Sequence, residues 1–407
     1  MSGWSHKVTA MMKSWRSLPL LALFALLALL VATAASPAAE ARPATKVAAV
    51  VNADRSVTFS LTNEQAESVE IGGDFRFGRK AVGRAAIGTE PTGSVPSVPM
   101  KKSADGVWTT TSEPRLPMIY RYFFVVDGTR TPMATIEIDG PAAMPWDLRA
   151  DIPHGTLVAE KLRSGVLKTV KEVLIYLPPG YWSSDKNYPV LYLLPGGGDI
   201  KHSDWVDEGH ADNIMDSLIA DGKAKEMIVV MPSRFTLSGE EKSAMNSLSK
   251  KDLQASLTAR DDLRDGYYFG ELMPLIESRY RASKETRFVA GLSGGAGESF
   301  DLITQHPGTF TAAGMFSGSV GMSRSENYEP YRTMVKDKLD GMRPDLARLK
   351  LLYVSCGDYD PQRGPIGALR GIFDELGIRH VYMEGEGGHQ WPFWSRSLVD
   401  SAAQVGS

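Results

Sequence analysis

The stretch that decides the fold is RFVAGLSGGAGESF, residues 287–300. Its first four residues predict a strand, and residues 297–306 predict a helix. Between them, Gly291-Leu292-Ser293-Gly294-Gly295 matches the G-x-S-x-G pattern of a sharp turn from strand into helix. Such a turn needs neighbours without a Cβ, and it places the serine hydroxyl beside backbone N–H groups of the helix N-terminus. The pattern predicts that Ser293 is a nucleophile, the alternative being a glycine-rich turn that only packs.

Strands and helices alternate on both sides of this turn. The spacing predicts a mainly parallel sheet with helices on both faces, an α/β architecture. We expect strands at 173–177, 189–194, 227–231, 287–290, 351–354 and 381–383, and helices at 211–220, 271–280, 297–306 and 365–376.

The chain before this α/β pattern is different. Residues 47–140 contain short segments that alternate with period two, and one of them ends in the hairpin signal Asp127-Gly128. They predict a small immunoglobulin-like β-sandwich. Residues 141–155 contain Pro141, Pro145 and Pro153 and predict a stiff linker. The α/β domain is then expected over residues 156–402.

Residues 1–41 are typical of a signal peptide. They combine a basic start, an apolar run over residues 18–35, and small residues that fit an A-x-A cleavage site. The alternative is an uncleaved membrane anchor, because the run has nearly the length that spans a bilayer. We expect cleavage, no stable membrane insertion afterwards, and a secreted or periplasmic bacterial protein.

Composition excludes several classes of function. The 407 residues carry a formal charge of −3, without the basic excess that is typical of nucleic-acid binding. A single cysteine, Cys356, excludes an intramolecular disulfide framework, a CxxC redox pair and a multi-cysteine zinc site. We expect no nucleic-acid partner, no metal and no cofactor. The sequence leaves the oligomeric state undetermined.

A nucleophilic serine needs a base and an acid that orients the base. His389 follows a glycine-rich loop after the last predicted strand, and it is the histidine whose order and setting fit this role. Asp358 and Asp360 both follow strand 351–354, between the serine and the histidine. The alternative for either aspartate is a helix cap.

A second glycine-rich turn follows the strand at 189–194. Gly196, Gly197 and Gly198 are predicted to supply one N–H to an oxyanion, and Gly294 the other. The turn lacks the GK[ST] ending and the G-x-G-x-x-G spacing of phosphate-binding loops, so that alternative is disfavoured.

Taken together, residues 188–394 resemble the esterase D / feruloyl esterase-type branch of the α/β-hydrolases, which includes carbohydrate esterase family 1, the enterochelin esterases and the mycolyltransferases. The resemblance implies an α/β-hydrolase with Ser293 as nucleophile, Asp360 as acid and His389 as base. Residues 47–140, here called the β-region, resemble an early-set, CBM48-like module. The segments that carry the resemblance are PVLYLL at 189–194, Asp204-Trp205, VVMP at 229–232, Gly291-Leu292-Ser293, Phe316-Ser317-Gly318 and Gly388-His389 with Trp391 and Trp394.

Two positions depart from the family. Pro195 stands where the family usually has a histidine, and Gly294 follows the serine where the family often has methionine or glutamine. Both departures change the walls around the expected oxyanion hole and acyl pocket.

The resemblance implies an exported serine carboxylesterase that acts on feruloyl or acetyl esters of carbohydrate. The alternatives are an enterochelin-type siderophore esterase, an acyltransferase of the mycolyltransferase type, and an inactive glycan-binding protein. Four aromatic residues are candidates for a substrate platform, with core packing as the alternative: Trp205, Phe269, Trp391 and Trp394.

Overall fold

The computed structural model describes residues 46–75, 97–140, 144–197, 200–234, 259–318 and 328–406. The predicted signal peptide, residues 1–41, and Gly198 of the glycine-rich turn lie outside the described residues.

In the described residues up to 140, the strands form two antiparallel sheets. One has the order β1-β2-β6-β5 and the other the order β4-β3-β7-β8, with β9 paired to β7. The bounds are β1 Lys46–Val51, β2 Val57–Thr62, β3 Val69–Gly73, β4 Ser97–Pro99, β5 Lys101–Lys102, β6 Val107–Thr111, β7 Met118–Val126, β8 Thr129–Arg130 and β9 Ala134–Ile138.

Apolar side chains join the two antiparallel sheets. Phe59 of β2 lies with its ring centroid 4.8 Å from that of Phe75 and 5.0 Å from that of Tyr122 of β7. Val57, Phe59 and Leu61 are all buried, because alternate residues of a strand face the same side. The region therefore has the two packed sheets of the predicted β-sandwich, and its domain boundaries remain a prediction.

The third sheet of the described chain has the order β10-β11-β13-β12-β14-β15-β16-β17. β10 and β11 are antiparallel to their neighbours, and the strands from β13 to β17 are parallel. The bounds are β10 Thr156–Ser164, β11 Thr169–Leu177, β12 Tyr188–Leu194, β13 Ile228–Pro232, β14 Ala282–Leu292, β15 Ala312–Phe316, β16 Leu351–Gly357 and β17 Val381–Gly385.

Helices connect these strands. A π-helical stretch, Gly266–Leu272, leads directly into α3. None of the helices within the described ranges combines the length and the apolar character that crossing a membrane requires. The bounds are α1 Asp204–Asp207, α2 Ala211–Ala220, α3 Met273–Arg279, α4 Gly294–Gln305, α5 Tyr328–Gly341, α6 Arg343–Leu346, α7 Arg363–Leu376 and α8 Trp391–Gly406.

Strand β12 shows how both faces of the large sheet are covered. Leu191 and Leu193 join an apolar cluster that includes residues of α2 and α8. Val190, Tyr192 and Leu194 join a second cluster that includes residues of α4 and α7. Burial on both faces of the sheet explains why the sequence of β12 is apolar without a break. The prediction of a mainly parallel sheet with helices on both faces is confirmed.

The carboxyl ends of parallel strands meet at one edge of a sheet, so the loops after β12, β14, β16 and β17 share that edge. Three elements that the sequence analysis lacks complete the sheet and its cover, namely β10, β15 and α8. The β15 segment AAGMF is short, contains no β-branched residue, and carries no periodicity that separates a strand from a buried helix.

A leucine-to-alanine pair tests this core assignment. Leu193 is fully buried in the central strand, whereas Leu148 is 73% exposed. We expect Leu193→Ala to lower the free energy of unfolding by about 2–5 kcal/mol, because it removes buried methyl groups and leaves a cavity. Leu148→Ala should change it by less than about 0.5 kcal/mol. Urea unfolding measures both, and equal effects would contradict the assignment.

Candidate active site

Ser293 lies on the turn between β14 and α4. Its backbone has φ 52° and ψ −115°, a conformation that is strained for a residue with a side chain. The flanking glycines let this turn close. A Cβ at Gly291 would lie 2.5 Å from the carbonyl carbon of Gly295, and a Cβ at Gly295 would lie 2.5 Å from the carbonyl oxygen of Pro195. The G-x-S-x-G spacing thus follows from backbone contact.

His389 lies in the loop between β17 and α8. Its Nε2 is 2.9 Å from Oγ of Ser293, which is hydrogen-bond distance. Its ring packs edge-on against the buried ring of Trp394, with 5.0 Å between centroids. The imidazole is therefore held beside the serine hydroxyl by packing as well as by hydrogen bonding.

The two candidate aspartates have different partners. Nδ1 of His389 lies 3.2 Å from both carboxylate oxygens of Asp360, whose side chain is fully buried. Asp358 instead accepts a hydrogen bond of 3.0 Å from the backbone N–H of Gly387. Because a carboxylate only accepts, the geometry assigns the proton to Nδ1 and leaves Nε2 to accept from Ser293. Asp360 thus faces the imidazole, and Asp358 fastens the loop that carries it.

The glycine-rich turn after β12 lies against the serine turn. A Cβ at Gly196 would lie 2.7 Å from Cδ1 of Leu292 and 3.6 Å from Cβ of Ser293. Gly294 is the first residue of α4, where backbone N–H groups have no acceptor within the helix. The structure therefore brings the Gly196-Gly197 backbone and the N-terminus of α4 to the same place as Ser293.

The three tryptophans predicted as a substrate platform are core residues. Trp205, Trp391 and Trp394 are 0%, 1% and 1% exposed. Their rings contact each other edge-to-face, and Nε1 of Trp205 donates to the carbonyl oxygen of Leu194 at 3.1 Å. Since none of the three has an exposed face, they cannot stack on a sugar ring. They are core-packing residues, which was the alternative to a substrate platform, and Trp394 packs against the ring of His389.

Phe269 lies near the end of α4 that is opposite to Ser293. It is partly buried, and its ring centroid lies 4.2 Å from that of His306. His306 follows the C-terminal end of α4, whereas Ser293 precedes its N-terminal end. The structure therefore does not bring Phe269 to the site as the sequence analysis expected.

Cys356 ends up inside the large sheet. It lies on β16 with no exposed surface, and burial raises the pKa of its thiol. A buried thiol with a raised pKa is a poor nucleophile. This agrees with the sequence analysis, which assigned no chemistry to it.

The β-region contributes a residue that the sequence analysis missed. Arg115 is 5% exposed. Its guanidinium donates to Oε1 of Glu386 at 3.0 Å and to the hydroxyl of Tyr359 at 3.1 Å. Glu386 and Tyr359 flank the loops of His389 and Asp360, and the ring of Tyr359 packs against Gly388. Arg115 therefore ties the β-region to both loops of the site.

A sequence signal for this contact was absent. Arg115 lies 244 residues before Tyr359 and carries no motif. Tyr359 is the sequence neighbour of Asp360, but its partner Arg115 lies in a loop of the region that the sequence predicts to be a separate domain. Long-range ion pairs of this kind are set by tertiary packing alone.

Comparison with known proteins finds similarity to esterases. A family described as "Putative esterase" matches residues 164–359. An endo-1,4-beta-xylanase/feruloyl esterase of Xylanibacter ruminicola is 28% identical over 327 residues, covering 75% of this chain and 41% of that protein. This chain thus spans about two fifths of the length of that relative. The family match includes Ser293 and ends just before Asp360.

Solved structures share the fold. A ferulic acid esterase superposes with a TM-score of 0.50 and 24% identity, covering 62% of this chain and 98% of that chain. A ferric enterobactin esterase from Salmonella typhimurium superposes with a TM-score of 0.56 and 13% identity, covering 88% of this chain and 96% of that chain. These likenesses establish the architecture. The chain has the α/β-hydrolase fold, and its residues 164–359 match an esterase family.

Proposed function

We propose that the chain is an exported serine carboxylesterase that hydrolyses feruloyl or acetyl esters of carbohydrate, with Ser293, His389 and Asp360 as its catalytic triad. The observation that carries the proposal is the line of hydrogen bonds from Oγ of Ser293 through His389 to Asp360, with distances of 2.9 Å and 3.2 Å. The substrate class is supported by the relative described as a xylanase/feruloyl esterase. Export is supported by the character of residues 1–41.

In the acylation step, Nε2 of His389 takes the proton of Ser293 as Oγ bonds to the ester carbonyl carbon. The carbonyl oxygen becomes negative, and the N–H groups of Gly294 and Gly197 donate hydrogen bonds to it. When the tetrahedral intermediate collapses, the ester C–O bond breaks and the imidazolium gives its proton to the departing alcohol. Asp360 stabilises the imidazolium between these two transfers.

In the deacylation step, water takes the position that the alcohol has left. His389 removes a proton from this water, whose oxygen bonds to the acyl carbon, and the acid is released as Oγ of Ser293 recovers its proton. The two steps use the same groups in the same positions. The site therefore needs only one set of oxyanion donors.

The nucleophile is tested with a fluorophosphonate probe and a panel of feruloyl, acetyl and p-nitrophenyl esters. We expect labelling that maps to Ser293 and turnover of at least one ester. Ser293→Ala should abolish labelling and lower kcat by about a thousandfold or more. Labelling that persists in Ser293→Ala would contradict the proposal. A sugar acceptor that diverts most of the acyl group from water would identify a transferase instead.

The two aspartates provide a matched pair. Asp360→Asn should lower kcat by about two to four orders of magnitude, because the amide no longer favours the productive imidazole tautomer. Asp358→Asn removes the same charge two residues away, and its loss of kcat should be at least about tenfold smaller. The reason is that the Asp358 carboxylate accepts from the backbone N–H of Gly387, whereas the Asp360 carboxylate faces His389. Steady-state kinetics on one ester measures both. Equal losses would refute the assignment of Asp360.

Arg115 is expected to position the His389 loop from the β-region. Arg115→Met should lower kcat about tenfold with little change in KM, since loss of its contacts lets the loop shift by a fraction of an ångström. Arg115→Lys should recover part of the loss. Arg130→Met provides the control, because Arg130 is an exposed arginine of the same region. If Arg115→Met retains wild-type kcat, the β-region does not position the loop.

A further inference from the structure

Arg234 follows strand β13 and lies against both glycines of the expected oxyanion hole. A Cβ at Gly294 would overlap Nη1 of Arg234 and would lie 2.8 Å from its Cζ. A Cβ at Gly197 would lie 3.3 Å from the same Nη1. Adding the length of a Cα–Cβ bond places Nη1 within about 4 Å of Cα of Gly294 and about 5 Å of Cα of Gly197. A cationic nitrogen therefore lies beside both backbone donors.

The guanidinium is held in this place from one side. Its Nε donates to Oε2 of Glu298 on α4 at 2.9 Å, and the carboxylate of Glu298 is buried. The backbone carbonyl of Arg234 accepts a hydrogen bond of 3.3 Å from Nζ of Lys171. Within the described part of the chain, Nη1 and Nη2 make no hydrogen bond, and the side chain is 24% exposed. The terminal nitrogens are thus available to a ligand.

The glycine after the nucleophile now has a physical explanation. The three atoms nearest to a Cβ at position 294 all belong to Arg234, namely Nη1, Cζ and Nη2. A methionine or glutamine there, as is frequent in the family, would occupy the space that the guanidinium fills. The guanidinium of Arg234 therefore needs a glycine at position 294, because it fills the space that a side chain after the serine would take.

We propose that Arg234 is a catalytic residue that donates, through Nη1, a third hydrogen bond to the oxyanion of the tetrahedral intermediate. The inference rests on the proposed ester hydrolysis at Ser293. As the Oγ–C bond forms, the carbonyl π electrons move onto oxygen, and the full positive charge of the guanidinium faces the new negative charge. Charge-assisted hydrogen bonds are about twice as strong as neutral ones, and arginine stays charged at every working pH.

This role differs from recognition of an anionic substrate. An oxyanion donor acts on charge that exists only in the transition state, so its loss lowers kcat and leaves KM nearly unchanged. A site for a carboxylate on the substrate would act on the ground state and would raise KM for acidic esters only. The two roles therefore separate in steady-state kinetics with a neutral ester.

The first test uses p-nitrophenyl acetate, which carries no anionic group. We expect Arg234→Met to lower kcat by about 10²–10³-fold with KM within about threefold of wild type. Arg234→Lys should recover at least about tenfold of that loss, because an ammonium restores the charge. Arg348→Met is the control, because Arg348 is an exposed arginine before the amino-terminal end of β16, and it should keep kcat within about twofold of wild type.

A second test uses the overlap at position 294. Gly294→Ala should lower kcat at least about tenfold in the wild-type background, because the methyl group displaces the guanidinium. In the Arg234→Met background the same substitution should cost less than about threefold, because the arginine is already gone. Such non-additivity measures the coupling between the two positions. Additive losses would contradict the displacement of the guanidinium by the methyl group.

The outcomes separate this inference from the proposed function. A wild-type protein that turns over esters, together with an Arg234→Met variant that keeps kcat within about threefold, overturns only the role of Arg234. The same conclusion follows if Arg348→Met loses as much kcat as Arg234→Met, or if Arg234→Met raises KM for acidic esters alone. A wild-type protein without turnover and without fluorophosphonate labelling overturns both. Circular dichroism of each variant confirms that the comparison concerns folded protein.

Discussion

The hydrogen bond between Nε2 of His389 and Oγ of Ser293 is the contact on which the site depends. It joins two loops that are 96 residues apart in sequence. Both loops leave the same edge of the parallel sheet, so the register of β12, β14, β16 and β17 determines whether the two side chains meet. The strained backbone of Ser293 is tolerated because Gly291 and Gly295 let the turn close. The core thus stabilises a conformation that an isolated turn would not adopt.

Much of the fold and of this site could be predicted from local patterns. The G-x-S-x-G turn, the apolar strand at 189–194 and the helix at 211–220 are encoded in contiguous residues. The positions of His389 and Asp360 followed from chain order and resemblance, and the structure brings both within hydrogen-bond distance of the expected partners. These features are predictable because each depends on a short segment and on the common edge of a parallel sheet.

The rest depends on tertiary packing. The tryptophans at 205, 391 and 394 carry no sequence sign that distinguishes a stacking face from a core cluster, and burial decides the matter. The guanidinium of Arg234 reaches the serine turn from the residues after β13, and Arg234 itself belongs to no motif. Arg115 reaches the site from the loop between β6 and β7. Contacts of this kind join distant segments, so periodicity and spacing do not reveal them.

The contacts of Arg115 with Glu386 and Tyr359 have a consequence for gene fusion and domain exchange. A gene fusion that carried only the large sheet to a new partner would transfer the serine, the histidine and the aspartate, yet it would leave behind the cation that Glu386 and Tyr359 contact. The recipient would need a substitute on its own surface. Selection for activity therefore favours transmission of the leading sheets and the large sheet as one block, and buried apolar residues of both belong to one cluster.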